Sequence, residues 1–223
     1  MNLCPGLASP AYAMLRPWRA ASTVLLLLVA GAGLTGCSVL EKPVRASVYD
    51  FGPGPQQVAV AAVSLPAVTL AEVDAAGALD STAVFYRLSF ANPHQLLPYA
   101  QARWSMVPAQ LLRQRLRDTL GQRRSVIGSG DGNLAGAAPA LLLRVELEEF
   151  SQVFEEPQRS VGLLRLRATL IQSVAGADRL LGQRIFVARR NATTPDAMGG
   201  VRALSEASQA VSEEIELWLT QFR

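Results

Sequence analysis

The chain has 223 residues, of which 50% are hydrophobic and 17% charged, with a formal net charge of +3. Domains usually run to about 100–200 residues, so this length supports one folded domain with a real core. Arg16 and Arg19 belong to an expected leader, and without them the formal charge falls to +1, which leaves no basis for a nucleic-acid surface.

In chain order the first element is an export signal. Arg16 and Arg19 form its positive segment and residues 20–33 its apolar segment, most hydrophobic at Val24–Val29. Leu34-Thr35-Gly36-Cys37 then reads as a lipobox. Thr35 and Gly36 are small enough to let processing enzymes reach the Cys37 thiol, which is the predicted lipidation site, with cleavage just before it. The uninterrupted apolar stretch falls short of the roughly 20 residues that span a bilayer, so a transmembrane anchor is disfavoured. Each buried CH2 contributes about 0.8 kcal/mol, and two or more acyl chains hold stably, so a triacylated Cys37 keeps the protein on its membrane. Residues 1–13 carry no charge and include Pro5, Gly6 and Pro10, so translation is expected to start at Met14 and to exclude Cys4. Cys37 is then the sole cysteine, with its sulfur in a thioether, and the fold must hold by packing without a disulfide.

Residues 37–46 form a short lipidated tether, and 47–223 a single periplasmic domain. Strands are predicted at Ser47–Phe51, closed by Gly52-Pro53-Gly54-Pro55, at the apolar run Val58–Leu65, and at Thr82–Phe90. In the last of these Val84, Tyr86, Leu88 and Phe90 share one face by the two-residue alternation of a strand. The period then changes to helical over Pro108–Leu120, where Leu111, Leu112, Leu116 and Leu120 form one stripe, Pro108 suits the first turn and Gly121 the stop. A small-residue loop over 128–139 leads into three runs, 140–154, 160–174 and 180–190, separated by turn residues and most simply joined as a β-meander. Leu141, Leu143, Val145 and Leu147 face one way, as do Leu164, Leu166, Ala168 and Leu170. Glu146 and Glu148 on one strand and Arg165 and Arg167 on the next occupy the opposite faces and are placed to pair across the ladder. A final amphipathic helix covers Asp196–Phe222, with Val201, Leu204, Val211, Ile215, Trp218, Leu219 and Phe222 inward and Glu206, Gln209, Glu213 and Glu216 outward. The elements together give an α+β class: a mostly antiparallel β-sheet packed by two amphipathic helices in a two-layer sandwich.

Catalytic chemistry has little to work with. His94 is the only histidine; it reads as a turn residue in Asn92-Pro93-His94-Gln95, and no second base recommends itself for a nucleophilic site. The nitrogen and sulfur ligands of zinc or iron centres are lacking, and neither a metal nor a cofactor is expected. Gly128-Ser129-Gly130-Asp131-Gly132-Asn133 departs from the phosphate-cradling glycine pattern at its last position, and Pro139 interrupts the helix that should follow.

Tyr49-Asp50-Phe51-Gly52-Pro53, together with Tyr86-Arg87, Tyr99, Arg103-Trp104, Pro108 and Leu111-Leu112, resembles the ABC-type transport auxiliary lipoproteins, the PqiC-like components of MCE-type lipid transport systems. The resemblance covers most of the mature chain and supplies no catalytic residue. It implies an α+β sandwich working with an MCE-domain protein, a permease and an ATPase that move lipids between the two bacterial membranes. Ser38, in place of Asp after Cys37, implies sorting to the outer membrane by resemblance to bacterial lipoproteins. The function expected is a non-enzymatic docking or acceptor subunit, held by its lipid anchor on the periplasmic face, with self-association into a homo-oligomer left open. Two alternatives stand beside it: a solute-binding lipoprotein, and a structural assembly or pilotin lipoprotein of another envelope machine.

Overall fold

The computed structural model describes residues 45–54, 65–75, 77–128, 140–174 and 177–222. The expected leader, the lipobox Leu34-Thr35-Gly36-Cys37 and nearly all of the tether lie outside these residues, as do the apolar run 58–64 and the loop 129–139.

The strands are β1 Ser47–Tyr49, β2 Leu65–Ala75, β3 Ala83–Leu88, β4 Asn92–Trp104, β5 Arg124–Gly128, β6 Ala140–Glu156, β7 Arg159–Val174 and β8 Ala177–Asn191. Two helices accompany them, α1 Pro108–Gly121 and α2 Ala197–Leu219. The last three strands form the expected antiparallel meander. Its first hairpin closes at Pro157-Gln158, where Glu156 and Arg159 are in register and ion-paired at 2.8 Å. Alternation decides which face is buried: Leu143 on β6 and Leu164, Leu166, Ala168 and Leu170 on β7 have no solvent exposure, and Leu141, Val145 and Leu147 are buried beside them. Removing each such leucine from water contributes about 1.5–3 kcal/mol.

The helices cover that face. Pro108 starts α1, and Leu111, Leu112, Leu116 and Leu120 are buried along it. Asp196 caps α2 by accepting the Gly199 N–H at 2.8 Å, and Val201, Leu204, Val211, Ile215, Trp218 and Leu219 form its inner stripe. α2 packs on β6, β7 and β8, α1 on β2 and β5, and the helices pack on each other. The architecture is the expected α+β two-layer sandwich.

The sheet is mixed. β6 is its central strand: one edge carries β7 throughout, and the other is shared by β2 at one end and β3 at the other. The pairs β1–β4, β2–β5, β2–β6 and β3–β6 run parallel, while most paired residues lie in the antiparallel ladders. β2, β4 and β5 were not expected. Pro66 and register shifts blur the alternation of β2, and β5 is a five-residue strand that opens on an arginine.

Three local expectations are corrected. Phe90 lies past the end of β3 and is 51% exposed, because the ladder shifts register and Phe85 takes a buried place with Val84. The turn between β3 and β4 falls at 89–91, closed by the Ala91 N–H donating to the Leu88 carbonyl, so His94 sits within β4. Glu216 is buried on the inner side of α2 and paired with Arg124.

Candidate functional site

The residues around Tyr49–Pro53 form a latch joining the start of the domain to both layers. Tyr49 is in register with Trp104, and its carbonyl accepts the Ser105 N–H at 2.7 Å. The Asp50 Oδ1 accepts the Gly52 N–H at 2.8 Å, and Gly52 turns the chain at φ +69°, a conformation glycine adopts without a Cβ penalty. Phe51 is thereby buried. Its ring meets Trp104 edge-on at 5.6 Å and Phe150 at 5.9 Å. Its carbonyl accepts from Arg115 Nη2 at 2.7 Å and from Ser205 Oγ at 2.9 Å, so one backbone oxygen ties the segment to α1 and α2 together. Arg115 Nη1 donates to Gln209 Oε1 at 3.0 Å, which joins the helices directly. A hollow of about 120 Å³ opens beside the latch, lined by residues that include Asp50, Met106, Gln114, Arg115 and Asp118.

A second cluster lies toward the start of α2. Tyr86 and Tyr99 stack at 4.6 Å, and the Tyr99 hydroxyl donates to Gln152 Oε1 at 2.8 Å. Gln152 Nε2 donates in turn to Ser160 Oγ at 2.8 Å, completing a buried relay across β4, β6 and β7. Burial, with Tyr86 and Asp196 nearby, holds the Tyr99 phenol far above its ordinary value. It remains a neutral donor. Gly200 lets α2 approach this relay, since a Cβ there would overlap the Gln152 amide. Tyr49, Tyr99, Gln101, Asp196 and Met198 line a surface hollow of about 330 Å³.

The helix-free face carries the charge ladder expected from sequence. Arg165 pairs with Glu148 at 3.0 Å, and Arg167 with Glu148 at 2.8 Å and Glu146 at 3.8 Å. Arg87 pairs with Glu149 at 2.9 Å, and Ser151 Oγ donates to the same carboxylate. Such partly exposed pairs contribute about 0–1 kcal/mol each, so they make a wet, self-neutralised surface rather than a store of stability.

His94 is exposed, and the bond recorded for it is local, from its backbone N–H to Asn92 Oδ1 at 3.1 Å. Among the described residues no group of three His, Cys, Asp or Glu side chains could hold a metal. Tyr49, Tyr99 and Trp104, which carry the family resemblance, lie in β1 and β4, with Trp104 buried in the core. Sequence reasoning missed Arg115, Ser205 and Arg124, whose partners lie far away in the chain, and Gln152, which links Tyr99 to Ser160.

The model of the family described as the ABC-type transport auxiliary lipoprotein component matches residues 49–216. The chain belongs to this family. The match begins at the latch tyrosine and runs to the ion-paired Glu216 of α2. Among solved structures, a crystal structure from Xanthomonas campestris assigned to the family model DUF330 aligns with TM-score 0.60 and 18% identity, covering 78% of this chain and 94% of that one. A second, titled an uncharacterized protein, aligns at 0.56 with 14% identity, covering 78% and 99%. At these identities the likeness is one of fold. No curated protein matches. A transport auxiliary lipoprotein works at the cell envelope, and among the described residues no helix is long and apolar enough to cross a membrane.

Proposed function

We propose that this transport auxiliary lipoprotein is a non-enzymatic subunit, anchored through lipidated Cys37 to the outer membrane and facing the periplasm. There it serves an MCE-type ABC system, moving lipids between the two membranes, as its docking or acceptor component. The observation that carries this reading is the family match over residues 49–216, preceded in the chain by Leu34-Thr35-Gly36-Cys37. The polar constellations support it: Arg115 ties the Phe51 carbonyl and Gln209 of α2 to α1, and Gln152 joins β4 to β7, so these buried polar groups are engaged in holding the fold together.

The tether sets the range of action. About ten residues separate Cys37 from β1, and an extended chain covers at most about 3.3–3.6 Å per residue, so the domain stays within roughly 36 Å of its membrane. An inner-membrane partner must therefore come to it. Fractionation of cells carrying the lipidated protein tests the proposal: recovery with the outer membrane is expected, and recovery with the inner membrane would replace the docking subunit by an inner-membrane auxiliary one.

A further inference from the structure

We propose that the free edge of β8 is a strand-addition site that takes an extended, amphipathic, acidic segment of the partner protein. The choice of partner rests on the transporter reading above, whereas the site itself rests on β8. Among the described residues β8 pairs as a strand only with β7, which leaves one edge open along a 15-residue strand. From Gly182 to Asn191 the strand keeps unbroken register with β7 and contains no proline. Proteins usually blunt such an edge by shortening, kinking, charging or covering it, because its unpaired N–H and C=O groups template another strand, and the four arginines of β8 narrow what can add here to a strand of complementary charge.

The side chains say what kind of strand fits. Leu180, Ile185 and Val187 are 62%, 48% and 51% exposed, so three of the exposed large apolar residues gather on this one strand. Ile185 and Val187 are in register with Arg167 and Arg165, which places them on the helix-free face. The opposite face carries Arg184, Phe186, Ala188 and Arg190, with Phe186 packed under Trp218 at 5.7 Å. Arg184 is paired with Glu214 and Arg189 with Glu155. Arg179 and Arg190 are exposed and have no carboxylate partner among the described residues. A strand added here meets apolar side chains on one face and uncompensated guanidinium groups near both ends. Complementarity calls for apolar residues alternating with carboxylates. Backbone bonds then supply affinity and the alternating side chains specificity. A second copy's β8 is a poor match, because it brings four arginines and the single carboxylate of Asp178 where the site calls for acidic residues.

The test is photocrosslinking in intact cells, with the full lipidated chain carrying a crosslinking residue at Ile185 or Val187 and, as control, at Leu217, which is 60% exposed on α2. Adducts are digested and mapped by mass spectrometry. The expected product joins β8 to an extended acidic and apolar segment of the MCE-domain protein, and Arg179→Glu/Arg190→Glu reduces its yield at least tenfold without moving the unfolding midpoint, whereas lysine at both positions preserves it. The same kind of segment mapped on a different envelope protein keeps the β8 site and refutes the transporter reading. Adducts to a second copy's β8, adducts from Leu217 alone, no adduct at any position, or a yield indifferent to charge reversal would each overturn the site.

Discussion

Arg124 is enclosed in the sandwich, and its guanidinium lies 3.1 and 3.2 Å from the two oxygens of Glu216. Breaking a buried pair by removing one partner costs about 3–5 kcal/mol, because the other charge stays in a poor solvent. Glu216→Ala is therefore expected to lower stability by about that amount in urea unfolding, while Arg124→Met/Glu216→Leu, which replaces both charges by apolar groups, recovers most of the loss. If the double variant is as unstable as the single one, the pair contributes more than mutual compensation. Asp196 acts at the surface by a different route. The Gly199 N–H and the Thr194 hydroxyl hold its carboxyl below the usual aspartate range. Asp196→Ala should cost about 1 kcal/mol at neutral pH through loss of the helix cap. A depressed carboxyl contributes stability that is present above its unfolded value, about 3.9, and is lost as pH falls through the folded one. The gap between Asp196→Ala and the parent protein should thus narrow at pH 3 in the same unfolding measurement. The Arg124–Glu216 partnership is not legible in sequence, since it spans 92 positions and nothing in a helical wheel says which charge meets which.

At the scale of elements, Trp218 carries much of the contact between α2 and the sheet edge, meeting Phe186 at 5.7 Å and Phe222 at 5.2 Å. Trp218→Ala is expected to destabilise by about 3–5 kcal/mol, the range for removing a large buried aromatic. An unchanged midpoint would place that face against a partner instead. Gly162→Ala offers a narrower test of the same packing, because its Cβ would lie 2.7 Å from the Ala203 carbonyl carbon, a backbone atom that cannot swing aside. A melting temperature equal to the parent's would mean that α2 can move off β7. These elements were readable because their periods are clean: Leu164, Leu166, Ala168 and Leu170 alternate without a break, and the α1 leucines recur at helical spacing. β2 and β5 were not readable for the converse reason. Register shifts in β2 place its buried Val68, Leu70 and Val73 off strict alternation, and β5 begins with a buried arginine, a residue that marks solvent in nearly every other setting. The β3–β4 turn was displaced because Asn92-Pro93 is a common turn dipeptide, yet here it opens a strand at the sheet's periphery, where proline is tolerated.

For the whole molecule, the family match and the two-layer fold, with the proposed lipidation at Cys37, point to a domain that acts by being held in place and meeting something else. Cys37→Ala is expected to leave an uncleaved or mislocalised precursor that takes up no labelled fatty acid; continued lipidation would remove Cys37 from the account. The self-bonded interior fits such a role, with Phe51 and Arg115 joining the start of the domain to the helices, Gln152 and Tyr99 joining strands of the sheet, and the unpaired edge of β8 facing outward. If this lipoprotein docks an MCE-type transporter as proposed, affinity purification of the tagged, lipidated chain from gently solubilised envelopes, read by quantitative mass spectrometry, should recover an MCE-domain protein in amounts comparable to the bait, with its permease and ATPase trailing it. Recovery of the bait alone, or with the components of a different envelope machine, would overturn the docking role.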